Sequence, residues 1–170
     1  MQTPDPAPGL QPRGSIAFLL VQLGFHVAGR YGELLKPLGL EQRQAGMLVR
    51  LAENDGRSQQ AIAELMGVNP TRMVFLTDEL EKLGLVERRR NPADRRSHAL
   101  HLTEAGKAML ARVREVTAAH EDAVTAGLTG AEREQLTALL RRLAGAQGLA
   151  GHGLPGPLRA PGTAGDTGAD

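Results

Sequence analysis

A mainly α-helical fold with a small β-wing is what this sequence predicts, and three observations carry the prediction. Apolar residues recur at helical spacing through most of the chain, and cap-forming residues stand where several of these runs begin. Only around residues 85–102 does the pattern change to two short β-like runs separated by turn-forming residues.

The first run, Ser15 to Leu35, places Ile16, Leu19, Leu20, Leu23, Val27, Leu34 and Leu35 among Gln22, His26, Arg30 and Glu33. It is too short and too polar to span a bilayer, and no cationic n-region with a small-residue cleavage site is visible. A cytoplasmic protein without membrane contact is therefore expected. Further on, Ser58 suits the N-cap of a short helix with Ile62, Leu65 and Met66 on one face, and Gly67 can end it in the left-handed conformation. Asn69 and Pro70 then read as N-cap and first residue of a second short helix, whose stripe is Met73, Leu76, Leu80 and Leu83. Thr71, Arg72 and Phe75 are turned away from that stripe.

After Gly84, the runs Leu85 to Arg90 and His98 to Leu102 flank Asn91, Pro92, Ala93 and Asp94, which predicts a hairpin. Two short helices followed by a hairpin form a winged helix-turn-helix, in which the N-terminal turn of the second helix meets base edges in the major groove. Arg88, Arg89, Arg90, Arg95 and Arg96 surround the hairpin against Asp94, although 20 Lys and Arg balance 19 Asp and Glu over the whole chain. A local positive field of this kind suits phosphates and a narrow minor groove. Thr103 can cap a long helix with Met109, Val113, Val116 and His120 on one stripe, and Thr129 with Glu132 makes a capping box for a last helix bearing Leu136, Leu139, Leu140 and Leu143.

The order of short motifs from Asp78 onward resembles the MarR family of transcriptional regulators. Asp78, Leu80, Glu81, Gly84, Leu85, Val86 and Arg88, then Asp94, Arg95, Arg96 and Ser97, then Leu102 to Gly106 look like its DxLExxGLVxR, DxRS and LTxxG signature. Gly39, Leu40, Gln44 and Leu48 are similar to the start of its second helix, and the likeness runs from about Ser15 to Leu143. The resemblance implies that Arg96 enters the minor groove and that Asp94 orients it, and the chemistry is sensible because a planar guanidinium fits a narrow groove while a carboxylate two residues away can hold its geometry. It also implies a homodimer with interlocked terminal helices on a pseudo-palindromic site of double-stranded DNA. The expected candidate DNA contacts are Ser58, Asn69, Thr71, Arg72, Phe75, Arg88, Arg90, Asp94, Arg95 and Arg96. Where many relatives carry basic residues, this chain has Phe75 and Glu79, which leaves Arg72 as the cation of the recognition turn. Phe75 either packs on a thymine methyl or belongs to the core.

The expected organisation is a tail over 1–14, a MarR-like domain with dimerisation helices over 15–147 whose DNA-binding core is about 40–103, and a Gly/Ala/Pro-rich tail over 148–170. Both tails lack the apolar period needed to offset ordering entropy and are expected to be disordered. The chain has no cysteine, which excludes thiol-based redox sensing, disulfides and thiolate metal sites. His98 and His101 stand three apart in an expected strand and point to opposite faces, so no metal or other cofactor is expected. No phosphate-binding glycine loop, nucleophile elbow or HExxH helix is present, so the chain is not expected to be an enzyme.

A small-molecule effector remains, and in relatives it often sits between the dimerisation helices and the DNA-binding lobe. His26 and Arg30 on the first helix, with Met47, Arg50 and Leu51 on the second, are the candidate lining, and an anionic aromatic acid would suit His26 and Arg30. The functional expectation is a repressor, since blocking a promoter requires only occupancy. The alternative is a winged-helix module that coats DNA without operator specificity or binds protein partners.

Overall fold

The structure is a computed structural model, and it describes residues 14–90 and 98–149. Six α-helices and two strands follow in the order α1 (Ile16–Leu35), α2 (Gln42–Glu53), α3 (Gln59–Met66), α4 (Pro70–Lys82), β1 (Val86–Arg90), β2 (His98–Leu102), α5 (Glu104–Val124) and α6 (Gly130–Ala146), with a 3-10 turn at Lys36–Leu38 after α1. The expected tails lie outside the described residues apart from Gly14, Gly148 and Leu149, and the expected turn at Asn91 to Asp94 lies outside them too.

The helix starts are set by side chains that accept backbone N–H groups left free at a first turn. Ser15 accepts from Phe18, Ser58 from Ala61, Asn69 from Arg72 and Thr103 from Gly106. Thr129 and Glu132 form the reciprocal capping box read from the sequence. The core gathers Leu35 of α1, Met47, Leu48 and Leu51 of α2, Ile62 of α3, Met73 and Leu80 of α4, Leu100 of β2 and Val113 of α5, all without solvent exposure. Each such side chain stabilises the fold by roughly 1.5–3 kcal/mol relative to leaving it in water.

The junction after α4 fixes where the wing starts. Gly84 takes the left-handed conformation at φ 70°, its N–H donates to the Glu81 carbonyl, and the Leu85 N–H donates to the Leu80 carbonyl. This Schellman arrangement turns the chain and drops Leu85 into the core beside Leu80. Leu83 was expected in the α4 stripe and is instead exposed, because the helix ends at Lys82 and Leu83 serves as its C-cap. Thr77 is buried in the stripe and its hydroxyl donates a hydrogen bond to the Met73 carbonyl at 2.8 Å, a placement that its residue type does not announce.

Strands β1 and β2 pair antiparallel from Val86 opposite Leu102 to Arg90 opposite His98. The other edge of β2 meets the loop before α3: Leu100 donates to the Arg57 carbonyl at 3.0 Å, Gly56 donates to Leu100 at 3.1 Å, and Ser58 bridges Ala99. The wing is thus tied to both α3 and α4. The entry of α5 then closes on Leu85, whose carbonyl accepts the Thr103 N–H at 3.1 Å, while the Thr103 hydroxyl donates to Gly84 at 2.6 Å.

Helices α1 and α5 pack together through Tyr31, whose hydroxyl lies 2.9 Å from that of Thr117. Much of the remaining apolar surface of the terminal helices is exposed among the described residues. Leu19, Leu20 and Leu23 of α1 are exposed, and so are Leu136, Leu139, Leu140 and Leu143 of α6, which has no buried residue. No helix among the described residues is long and apolar enough to cross a membrane.

Gly106 lies so close to the α4–β1 junction that an added Cβ would overlap the Leu85 carbonyl oxygen and sit 3.0 Å from its carbon. Gly106→Ala is therefore expected to destabilise the protein by about 2 kcal/mol or more. Gly145→Ala, on α6 where nothing lies within 4 Å, should be neutral or stabilising by up to about 1 kcal/mol. Urea unfolding of both variants checks this, and equal effects would refute the close approach.

Candidate nucleic-acid interface

The first turn of α4 is a surface built by two local devices. Asn69 caps it through a 2.8 Å bond from the Arg72 N–H, and Pro70 occupies the first helical position with its φ preset. With Met73, Leu76 and Leu80 turned inward, the helical period leaves Thr71, Arg72 and Phe75 on the solvent side. Phe75 is 64% exposed, so the core alternative for it does not hold. Glu79 accepts a 3.1 Å hydrogen bond from Gln44 of α2, whose side chain also accepts from the Glu41 N–H. Glu79 thus braces α2 against α4. Ser58 is half-buried and its hydroxyl is engaged in capping α3.

Arg88, expected to face DNA, is held inside the protein. Its guanidinium donates to Asp78 at 2.6 Å, to Gln59 at 3.2 Å and to Glu81, and the Glu81 carboxylate also accepts the Arg88 backbone N–H at 2.9 Å. The Arg88 side chain retains 22% of its surface. Residues 78 and 81 lie one turn apart on one face of α4, so a planar fork on β1 can reach both carboxylates and the first turn of α3 at once. Arg88 therefore fixes the wing against the helix-turn-helix, a role the sequence alone did not assign to it. Arg89 pairs with Glu87 of its own strand. Arg90 is exposed at the end of β1, while Asp94, Arg95 and Arg96 lie outside the described residues.

The structure does not bring the expected effector-lining residues together on one open surface. Met47 and Leu51 point into the core at 0% exposure, because they stand one turn apart on the face of α2 that closes it. Arg50 donates to Glu53 at 3.2 Å, and His26 and Arg30 are exposed on α1. A different set meets between α1 and α5. His120 is 7% exposed, its ring stacks on Tyr31 at 5.4 Å and 22°, and neither ring nitrogen has a hydrogen-bond partner among the described residues. From the sequence His120 is one more position on a helical stripe; its meeting with Tyr31 is a tertiary event without a local signal.

Arg43 is a further residue the sequence did not single out. It stands in the first turn of α2, and its Nε and Nη1 are buried without a partner among the described residues. Burial, and next the positive charge of Arg72, hold its pKa below the ordinary arginine value, with Glu41 opposing. For metal ions, no group of three or more His, Asp or Glu suited to hold one occurs among the described residues. His101 Nδ1 lies 3.0 Å from the Asp55 carboxylate, and His98 is exposed on the wing.

The sequence profile of the MarR family matches residues 38–97. A candidate transcriptional regulatory protein for the hcr operon of Thauera aromatica is 40% identical over 98 residues, covering 58% of this chain and 59% of that protein, so the match spans about three fifths of its length. The transcriptional repressor CouR bound to a 23-mer DNA duplex is 34% identical and covers 78% of this chain and 94% of its own, with a TM-score of 0.72. CouR from Rhodococcus jostii RHA1 bound to p-coumaroyl-CoA superimposes with a TM-score of 0.70 at 32% identity, covering 79% and 95% of the two chains.

Removing the Arg88 fork leaves two neighbouring carboxylates and Gln59 without their shared donor. Arg88→Ala should destabilise the fold by about 2–3 kcal/mol. Arg88→Lys should recover only part of that, since an ammonium lacks the planar fork. Thermal unfolding compares the three proteins; a stable Arg88→Ala would show that the clamp contributes little.

Proposed function

The chain belongs to the MarR family, and from that premise we propose that it is a homodimeric transcriptional repressor that binds a pseudo-palindromic operator and is released by a small aromatic acid or its thioester. The observation that carries the DNA-binding reading is the solvent-facing first turn of α4, with Thr71, Arg72 and Phe75, set beside a wing anchored by Arg88. That turn is free to enter a major groove, where Phe75 can meet a thymine methyl. Beyond Arg90, the wing sequence Asp94, Arg95, Arg96 supplies a guanidinium for the minor groove and a carboxylate to orient it. The complex of CouR with a DNA duplex supports the same mode of use.

Dimerisation is supported by the uncovered apolar faces of α1 and α6. Exposed contiguous apolar faces of this kind mark association surfaces, and a two-fold pair would present two recognition helices about one helical turn apart on DNA. The effector reading is supported by the p-coumaroyl-CoA complex of CouR, and by buried His120, stacked on Tyr31, whose two ring nitrogens have no partner among the described residues. Such a site offers an aromatic wall and polar groups in need of partners. A ligand there controls DNA binding if it favours one spacing of the recognition helices over the other. This reading places the protein in the cytoplasm and gives it no catalytic step.

Fluorescence anisotropy against the protein's own upstream intergenic DNA and a length-matched random duplex, at two salt concentrations, tests the reading. Preference for the upstream DNA should reach about a thousandfold or more. Equal, salt-sensitive binding to both would instead favour a module without operator specificity, and no binding to either would favour protein partners. Arg96→Ala should weaken binding by about 1 kcal/mol or more with the dimer still folded, and unchanged affinity would remove the minor-groove role. Titrating p-coumaroyl-CoA or p-coumarate into the complex should release DNA; a complex unmoved by both would sink the aromatic-effector part.

A further inference from the structure

Arg43 is half-buried, with part of its guanidinium shut away from both solvent and acceptors. Two of its guanidinium nitrogens have lost contact with water, and no described residue accepts from them. Buried donor nitrogens without an acceptor are unfavourable, and a second cation nearby makes them more so. That second cation is Arg72, whose charge acts on Arg43 from the first turn of α4. Among the described residues neither Arg43 nor Arg72 forms a salt bridge, although Arg88, Arg89, Arg50 and Arg133 all do. Glu41 attracts Arg43, yet its carboxylate serves the capping box of α2.

The arrangement is held in place. Gln44, the residue after Arg43, is tied to Glu79 of α4 at 3.1 Å and to the Glu41 N–H at 2.8 Å. Arg43 and Arg72 therefore stand in the first turns of two braced helices, where the helix dipoles add positive potential. Like charges fixed in this way are stabilised by an anion between them, and a guanidinium fork suits phosphate oxygens.

We propose that Arg43 is a phosphate-binding residue that, together with Arg72, clamps one backbone phosphate of duplex DNA from α2, outside the recognition helix and the wing. The proposal rests on the DNA-binding reading above. DNA is the favoured source because Arg72 is exposed on the turn that faces the major groove, whose edge is lined by backbone phosphates. It assigns Arg72 to register on the backbone, with sequence readout left to its neighbours.

The test uses the full chain with Arg43→Met, which removes the charge at similar volume, and measures affinity for upstream and random duplexes over a salt series, with the thermal midpoint of the DNA-free protein. Arg43→Met should bind both duplexes about fivefold to tenfold more weakly, and the slope of log affinity against log salt should fall by about 1. Its thermal midpoint should stay level or rise, because two buried donors without an acceptor have gone. Unchanged affinity and slope in Arg43→Met, with wild type binding DNA normally, would overturn the proposal alone. A fall in thermal midpoint alongside affinity would make Arg43 structural and overturn it as well. Inorganic phosphate that stabilises wild type but not Arg43→Met, with duplex affinity unaffected by the substitution, would move the ligand to a free anion. Wild type that binds no duplex would bring down both this proposal and the reading beneath it.

Discussion

The position of the wing relative to the recognition helix depends on one guanidinium. Arg88 is the third residue of β1, and it gathers Gln59 of α3 with Asp78 and Glu81 of α4. Both carboxylates lie on one face of α4, and without a cation between them they would repel. With Arg88 in place, the same charges become directional bonds that set both the distance and the rotation of the hairpin. A shift of a few ångströms there would carry the end of β1 away from the surface that α4 presents. The signature DxLExxGLVxR can be understood in these terms: Asp78, Glu81 and Arg88 are the clamp, Leu80 and Leu85 pack beside one another, and Gly84 makes the turn that lets β1 run back along α4.

A second constraint joins this lobe to the long helix. The Leu85 carbonyl accepts from Thr103, and the Thr103 hydroxyl both caps α5 and donates to Gly84. The end of α4, the start of the wing and the start of α5 therefore share one set of backbone groups, and Gly106 is needed because α5 passes too close for a side chain. Further along α5, Thr117 and His120 meet Tyr31 of α1. The helix that begins on the wing junction thus also packs against α1, whose Leu19, Leu20 and Leu23 are exposed.

How much of this was legible in sequence follows from what is local. Ser58, Asn69, Pro70, Thr103 and Thr129 act on residues within one turn, so their cap chemistry could be read directly. The two strands were visible as a change of period, with β1 starting one residue after the apolar run because the amide of Leu85 is already used in closing α4. Leu83 failed for the same reason: a periodic stripe says nothing of the residue at which the helix stops. The candidate site was legible in its exposed turn, since Thr71, Arg72 and Phe75 follow from helical geometry. It was not legible in the fate of its arginines, because charge runs do not reveal which cations meet acids from other elements. Arg88 looked like a DNA contact and is a structural fork, while Arg43, without any surrounding charge run, has two buried guanidinium nitrogens without a partner among the described residues. Met47 and Leu51 show the converse: apolar residues near an expected pocket were drawn into the core.

This distribution of charge bears on specificity. Each free cation that meets a phosphate releases counterions whatever the base sequence, so a surface of many free arginines binds all DNA well. Here the chain is nearly neutral, at formal charge +1, and the guanidinium of Arg88 is tied up by acids of α4, while Arg89 pairs with Glu87 on the exposed surface. The acids that pair with Arg88 also hold the wing against α4. Rigidity matters more when few charges hold the complex, since a bond to a base edge discriminates only if the side chain that makes it cannot drift to a neighbouring base. A chain with little excess charge can therefore favour one site over many only through fixed geometry, and the Arg88 clamp, the Gln44–Glu79 brace and the Gly106 close approach are the contacts that fix it.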